Sequence, residues 1–183
     1  MKKIFKIILT SWILTFSLFP LIHAATSESQ PQPPPDKSSV ELNRIKSLAG
    51  RWTSTTSMFG KPNEQVYTEY EVTSNGSAVL EKIFPGTPQE MISVYYDDDK
   101  GKLAMTHYCI MRNRPTLELA SSNKNSLTLD VVKVEGVKSP DEPSMGAITI
   151  KFKDKDHLST TCKGRGKGNE KEKPMTMEYT RVK

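Results

Sequence analysis

The 183-residue chain reads as an all-β protein, an antiparallel up-and-down β-barrel of about ten strands with a short N-terminal capping helix. Three observations predict this. From Gly50 onward apolar and polar side chains alternate with period two, the repeat of a strand with one buried face. Tight-turn sequences such as Ser74-Asn75-Gly76 and Asp97-Asp98-Asp99-Lys100-Gly101 separate the alternating segments. No helical stretch of crossover length lies between any two of them, so successive strands pair antiparallel. Many short strands in series make a barrel or a sandwich, and closure removes the edges on which other chains would pair.

The elements follow in chain order. Residues 40–48 read as a helix with Ser38 or Ser39 at its N-cap, and Leu42, Ile45 and Leu48 fall on one face. Such a helix can plug one end of a barrel. Strands are expected at 51–58, 64–73, 77–84, 90–96, 102–111, 116–120, 126–135, 145–152, 157–163 and 175–182. In the second, Val66, Thr68, Tyr70 and Val72 face one way while Glu69 and Glu71 face the other. In the fifth, Met105, His107 and Cys109 share a face. Met58, Leu80, Met91 and Met177 belong to the inward apolar supply, where methionines suit both core filling and an adaptable pocket. The glycine- and lysine-rich stretch 164–173 lacks the following helix of a phosphate loop and is read as a hairpin tip.

The N-terminus sets a cellular expectation. Lys2, Lys3 and Lys6 precede an apolar run from Ile7 to Ile22, which ends at Ile22-His23-Ala24. That is the layout of a cleaved signal peptide over 1–24, and export to the periplasm or the medium follows from it. The run is too short, and too soon broken by Pro20, for a membrane span. Residues 25–39, rich in proline, serine and glutamine, are expected to form a disordered linker before the barrel domain of 40–183. The formal charge of +5 is largely a property of the leader. Without its three lysines the chain has 23 basic against 21 acidic side chains, too even a balance for nucleic-acid binding. Cys109 and Cys162 are the two cysteines, and an oxidising compartment leaves both a disulfide and a pair of buried free thiols open.

Leu48-Ala49-Gly50-Arg51-Trp52, a Gly-x-Trp at the first strand after a short helix, resembles the signature of lipocalins and their wider calycin relatives. The resemblance implies that Trp52 lies across one end of the barrel and that an arginine of the last strand, here Arg181, covers its ring. Such a cation–π contact contributes about 0.5–2 kcal/mol and holds the chain ends together. Met105-Thr106-His107-Tyr108-Cys109 and Asn113-Arg114-Pro115, with Gly76–Glu81 and Ser93–Tyr96, are similar to a group of exported bacterial lipocalin-like proteins of unknown function. Ten strands also resemble nitrobindins and fatty-acid-binding proteins. The nitrobindin resemblance places a haem-binding histidine near the last strand. Met175-Thr176-Met177-Glu178-Tyr179 has none, so no haem or other cofactor is expected.

The candidate ligand-binding residues are His107, Cys109, Met105, Tyr70, Tyr95 and Arg114. An inward imidazole can donate to or accept from a polar ligand group, or be a satisfied core side chain. Arg114 and Arg112 stand where a barrel mouth meets an anionic head group, or where ordinary loop charges sit. A zinc site from His107, Cys109, His157 and Cys162 is not expected, because His157 and Cys162 are five apart on one strand and point to opposite faces. No Gly-x-Ser-x-Gly elbow or His-Glu-x-x-His is present, so no catalytic residue is assigned. The expected function is binding of a small apolar or amphipathic molecule in the lumen, which calls for a cavity of ~300 Å³ or more. The alternatives are an envelope interaction module with a packed core, and a small-molecule enzyme using His107 as acid or base.

Overall fold

The computed structural model describes residues 32–167 and 173–183. The signal-peptide expectation and the first part of the linker lie outside those residues. Among the described residues no helix is long and apolar enough to cross a membrane.

Helix α1 (Val40–Lys46) precedes ten strands: β1 (Gly50–Thr56), β2 (Glu64–Thr73), β3 (Ala78–Ile83), β4 (Met91–Asp97), β5 (Leu103–Tyr108), β6 (Arg114–Asn123), β7 (Ser126–Glu135), β8 (Ser144–Phe152), β9 (His157–Arg165) and β10 (Met175–Arg181). Each strand pairs antiparallel with its chain neighbours, and β10 returns to β1, closing the barrel. Up-and-down order gives the barrel two distinct ends. The turns after β2, β4, β6 and β8 lie at the end occupied by α1, and the loops after β1, β3, β5, β7 and β9 lie at the other.

The helix forms where its cap is. Ser39 Oγ accepts from Leu42 N at 3.0 Å, and the same serine is anchored to Asp97 at the end of β4 by its own N–H and hydroxyl, both at 2.6 Å. Leu42, Ile45 and Leu48 turn inward and are buried over Trp52. Ser39→Ala removes both the cap and the tether. It is expected to lower stability by about 1–2 kcal/mol in chemical denaturation, and a change below about 0.3 kcal/mol would mean the helix docks without its cap.

Residues 34–39 correct the disordered-linker expectation at its C-terminal end. Pro34 O accepts from Asn75 Nδ2, Asp36 pairs with Lys46, and Ser38 Oγ donates to Gly76 O. The reason is the β2–β3 turn, whose Ser74, Asn75 and Gly76 all take positive φ and so present side-chain and backbone groups to the incoming chain.

Trp52 on β1 is the direct partner of Arg181 on β10. The guanidinium lies 4.2 Å from the indole centroid and donates to Ala49 O, Ser47 O and Lys155 O, while Trp52 Nε1 donates to Leu48 O. Gly50 has φ 122°, and a Cβ there would sit 3.2 Å from Arg181 Nη1. The glycine of the Gly-x-Trp pair thus leaves room for the arginine that crosses it.

Strand limits differ from expectation by more than two residues in two places. The fifth strand ends at Tyr108 rather than 111, because Arg112 N bonds Cys109 O in a turn that puts Arg112 at φ 64°. The sixth runs for ten residues instead of five; two register irregularities, at Thr116/Leu117 and Leu119/Ser121, keep it paired with β7 through an interrupted alternation.

Candidate functional site

A row of directly opposed residues crosses four adjacent strands: Tyr70 on β2 faces Glu81 on β3, Glu81 faces Ser93 on β4, and Ser93 faces His107 on β5. Opposed side chains on one face of a sheet are close enough to bond. Here all four point into the barrel and are buried. Tyr70 donates to Glu81 Oε1 at 2.6 Å, and Tyr95, further along β4, donates to Oε2 at 2.9 Å. Ser93 also hydrogen-bonds the carboxyl group, and its Oγ stands 3.0 Å from His107 Nδ1.

This register overturns one inward assignment. Leu80 does not face the lumen; it opposes Glu71 on the outer surface and is only half-buried, and Val79 and Glu81 take the inward places on β3. Val72, read as inward on β2, is also exposed, since β2 runs past the barrel rim there.

Burial dominates the electrostatics. It raises the Glu81 carboxyl above its usual 4.5, against the lowering effect of its three hydrogen bonds. It lowers His107 from 6.5 to about 4, so the imidazole is neutral at pH 7. The Cys162 thiol is pushed up to about 12 by burial and by Glu81. No side chain of opposite charge is ion-paired with Glu81 among the described residues.

Beside this row the lumen holds a cavity of about 160 Å³. Glu81, Ser93 and His107 form its polar wall; Ile148, Thr160 and Cys162 come from the opposite side of the barrel. It lies toward the end away from α1, where Met58, Phe84, Cys109 and Met145 line it, and Phe59 packs edge-on against Phe84 at 5.1 Å. Met58, expected inside, lines the mouth but is 53% exposed, with Ile110 and Met111 also exposed at that end. Surface hollows of about 280–310 Å³ beside Pro140 and Pro34 are larger but more open, and the first is lined by residues of β7 as well as by a loop.

Of the candidate residues, His107 and Cys109 reach the cavity. Met105 is fully buried in the core without lining it. Tyr70 and Tyr95 stand behind Glu81 and hold its carboxyl group. Arg114 is half-exposed and pairs with Glu135 at 3.6 Å outside the barrel. His157 is exposed and bonded to Asp154, so it takes no part in any site with His107. Both cysteines are free thiols on the same cavity, one of the two states that the sequence leaves open. Glu81 and Ser93 were not legible as site residues, although strict alternation through Val79, Glu81 and Ile83 carried the signal.

No family model and no curated protein matches this chain. Among solved structures it is similar to a protein of unknown function from the DUF3598 family of Nostoc punctiforme, at 14% identity and a TM-score of 0.37. The match covers 75% of this chain and 48% of that one, so this chain spans about half the length of that neighbour.

Proposed function

We propose that the protein is an exported, calycin-like carrier that holds a small, mainly apolar molecule in its lumen and meets one polar group of that molecule with His107. The observation that carries this reading is the lumenal cavity, open at one end of the barrel, with apolar walls on most sides and the Glu81–Ser93–His107 row on one. A solid-core interaction module has no use for such a space. The volume of about 160 Å³ is half of what the sequence led us to expect and narrows the ligand to about the size of a substituted benzene. Export rests on the N-terminal sequence, and the calycin assignment on the Trp52–Arg181 seam together with barrel closure.

The geometry does not favour hydrolysis. In a nucleophilic relay the imidazole lies between hydroxyl and acid, so that it can take the hydroxyl proton. Here the hydroxyl of Ser93 lies between the acid and the imidazole, and a ring held near pKa 4 is a weak base.

Benzyl alcohol at saturation is expected to raise the unfolding free energy by about 2–3 kcal/mol, as any guest at about 100 times its dissociation constant must. Ile148→Trp, which fills the cavity, abolishes the gain. His107→Leu lowers it for benzyl alcohol but not for toluene. If neither compound stabilises the parent protein in a thermal melt, the lumenal reading is lost.

A further inference from the structure

The cavity wall is unusually rich in sulfur. Five of the eight methionines in the chain and both cysteines are among its 15 lining residues. Apolarity alone does not account for this. Leucine and isoleucine fill the buried faces elsewhere, at Leu103, Leu117, Leu127, Leu129 and Ile150, whereas the cavity has only Ile83 and Ile148.

Resting on the lumen as the functional site, we propose that this wall binds one soft monovalent metal ion, Cu(I), using the His107 imidazole together with methionine and cysteine sulfurs. Thioether and thiol donors select Cu(I) over harder ions. His107 is prepared as a ligand: Ser93 holds Nδ1, and Nε2 makes no hydrogen bond among the described residues. A metal-binding histidine is normally fixed in this way by a partner on its other nitrogen. With Nδ1–H donating to Ser93, and Ser93 donating to Glu81, the Nε2 lone pair is free for a metal. Sulfur flanks the lumen on the facing strands, where Cys162 on β9 directly opposes Met175 on β10 and Met177 lies one inward position further.

Harder ions are poorly served. The one carboxyl group on the wall is Glu81, and Tyr70 and Tyr95 already occupy both its oxygens. Among the described residues no three His, Cys, Asp or Glu side chains converge, so a site here needs the thioethers. Histidine and methionine bind without losing a proton; a cysteine that joins them releases one to solvent.

The test is an anaerobic titration of the purified protein with Cu(I) against bicinchoninate, followed by sulfur-sensitive X-ray absorption at the copper edge. One equivalent is expected to resist the chelator with sulfur and nitrogen neighbours. His107→Leu and the triple change Met91→Leu, Met175→Leu, Met177→Leu are each expected to weaken binding by about 100-fold. Leucine nearly conserves methionine volume, so the triple variant is expected to keep a cooperative urea transition with the parent's slope m, which reports that it is folded. Loss of copper binding by variants that keep this transition supports the inference. Copper binding that survives both variants, Zn(II) held as tightly as Cu(I), or no stoichiometric binding by the parent overturns it. Toluene binding without copper binding by the parent refutes the metal site alone, and failure of both refutes the lumenal reading as well.

Discussion

Trp52→Ala is expected to cost about 3–5 kcal/mol of unfolding free energy, a large part of what a domain of this size possesses. Trp52 is 1% exposed and sits between the helix plug of Leu42, Ile45 and Leu48 and the guanidinium of Arg181. Removing the indole leaves a void under α1, takes the donor from Leu48 O and ends the cation–π contact. The void dominates. Of the rest, a buried carbonyl without a donor costs about 1–3 kcal/mol and the ring contact contributes about 0.5–2. Arg181 keeps its bonds to Ser47 O, Ala49 O and Lys155 O, so the seam between β1 and β10 persists and the barrel stays closed. The urea midpoint is therefore expected to fall with the slope m unchanged. Trp52→Phe, which refills most of the space, is expected to lose only about 1–2 kcal/mol. A loss below about 1 kcal/mol for the alanine variant would show that the helix does not depend on this side chain for its docking.

The same seam shows how far the sequence could be read. Alternation and turn chemistry are local, so β2 and β7 were placed to the residue, and the Gly-x-Trp followed by a C-terminal arginine located the closing contact. What alternation cannot give is the face that buries when both faces of a strand carry apolar groups. On β3, Val79 and Leu80 compete, and the apolar pattern alone puts Leu80 in the inward supply. The register with β2 decides otherwise: once Tyr70 is inside, its partner Glu81 must be too. That pairing is non-local, and the hydroxyls of Tyr70, Tyr95 and Ser93 that bond the carboxyl group make it tolerable. Convergence of sulfur on one cavity is likewise a property of closure, since Cys109, in the turn after β5, and Cys162 on β9 meet the same space from positions far apart around the barrel.

Glu81→Ala is the second change with a large expected effect, about 3–5 kcal/mol, because it strands the buried Tyr70 and Tyr95 hydroxyls at about 1–3 kcal/mol each and adds a void. Glu81→Gln keeps an oxygen acceptor and is expected to cost under about 2 kcal/mol, which makes it the better probe of charge. The folded pKa of Glu81 lies above its unfolded value, so its contribution is complete below about pH 4.5 and is lost as pH rises through the folded value. His107 has the opposite sense. Its folded pKa of about 4 lies below 6.5, so its contribution is complete above pH 6.5 and is lost, by roughly 3 kcal/mol, as pH falls to 4. Between pH 4.5 and 6.5 the two slopes oppose each other in the parent protein. Measured as differences from the parent, Glu81→Gln is expected to gain stability with rising pH and His107→Leu with falling pH. The surface carboxylates of Asp36, Asp98, Asp154 and Asp156 are common to all three proteins and cancel in the differences. Two difference curves of the same sign would mean that Glu81 and His107 share one proton through Ser93 and titrate as a unit. In that case the neutral imidazole assigned to the cavity wall, and the polar contact built on it, would be withdrawn.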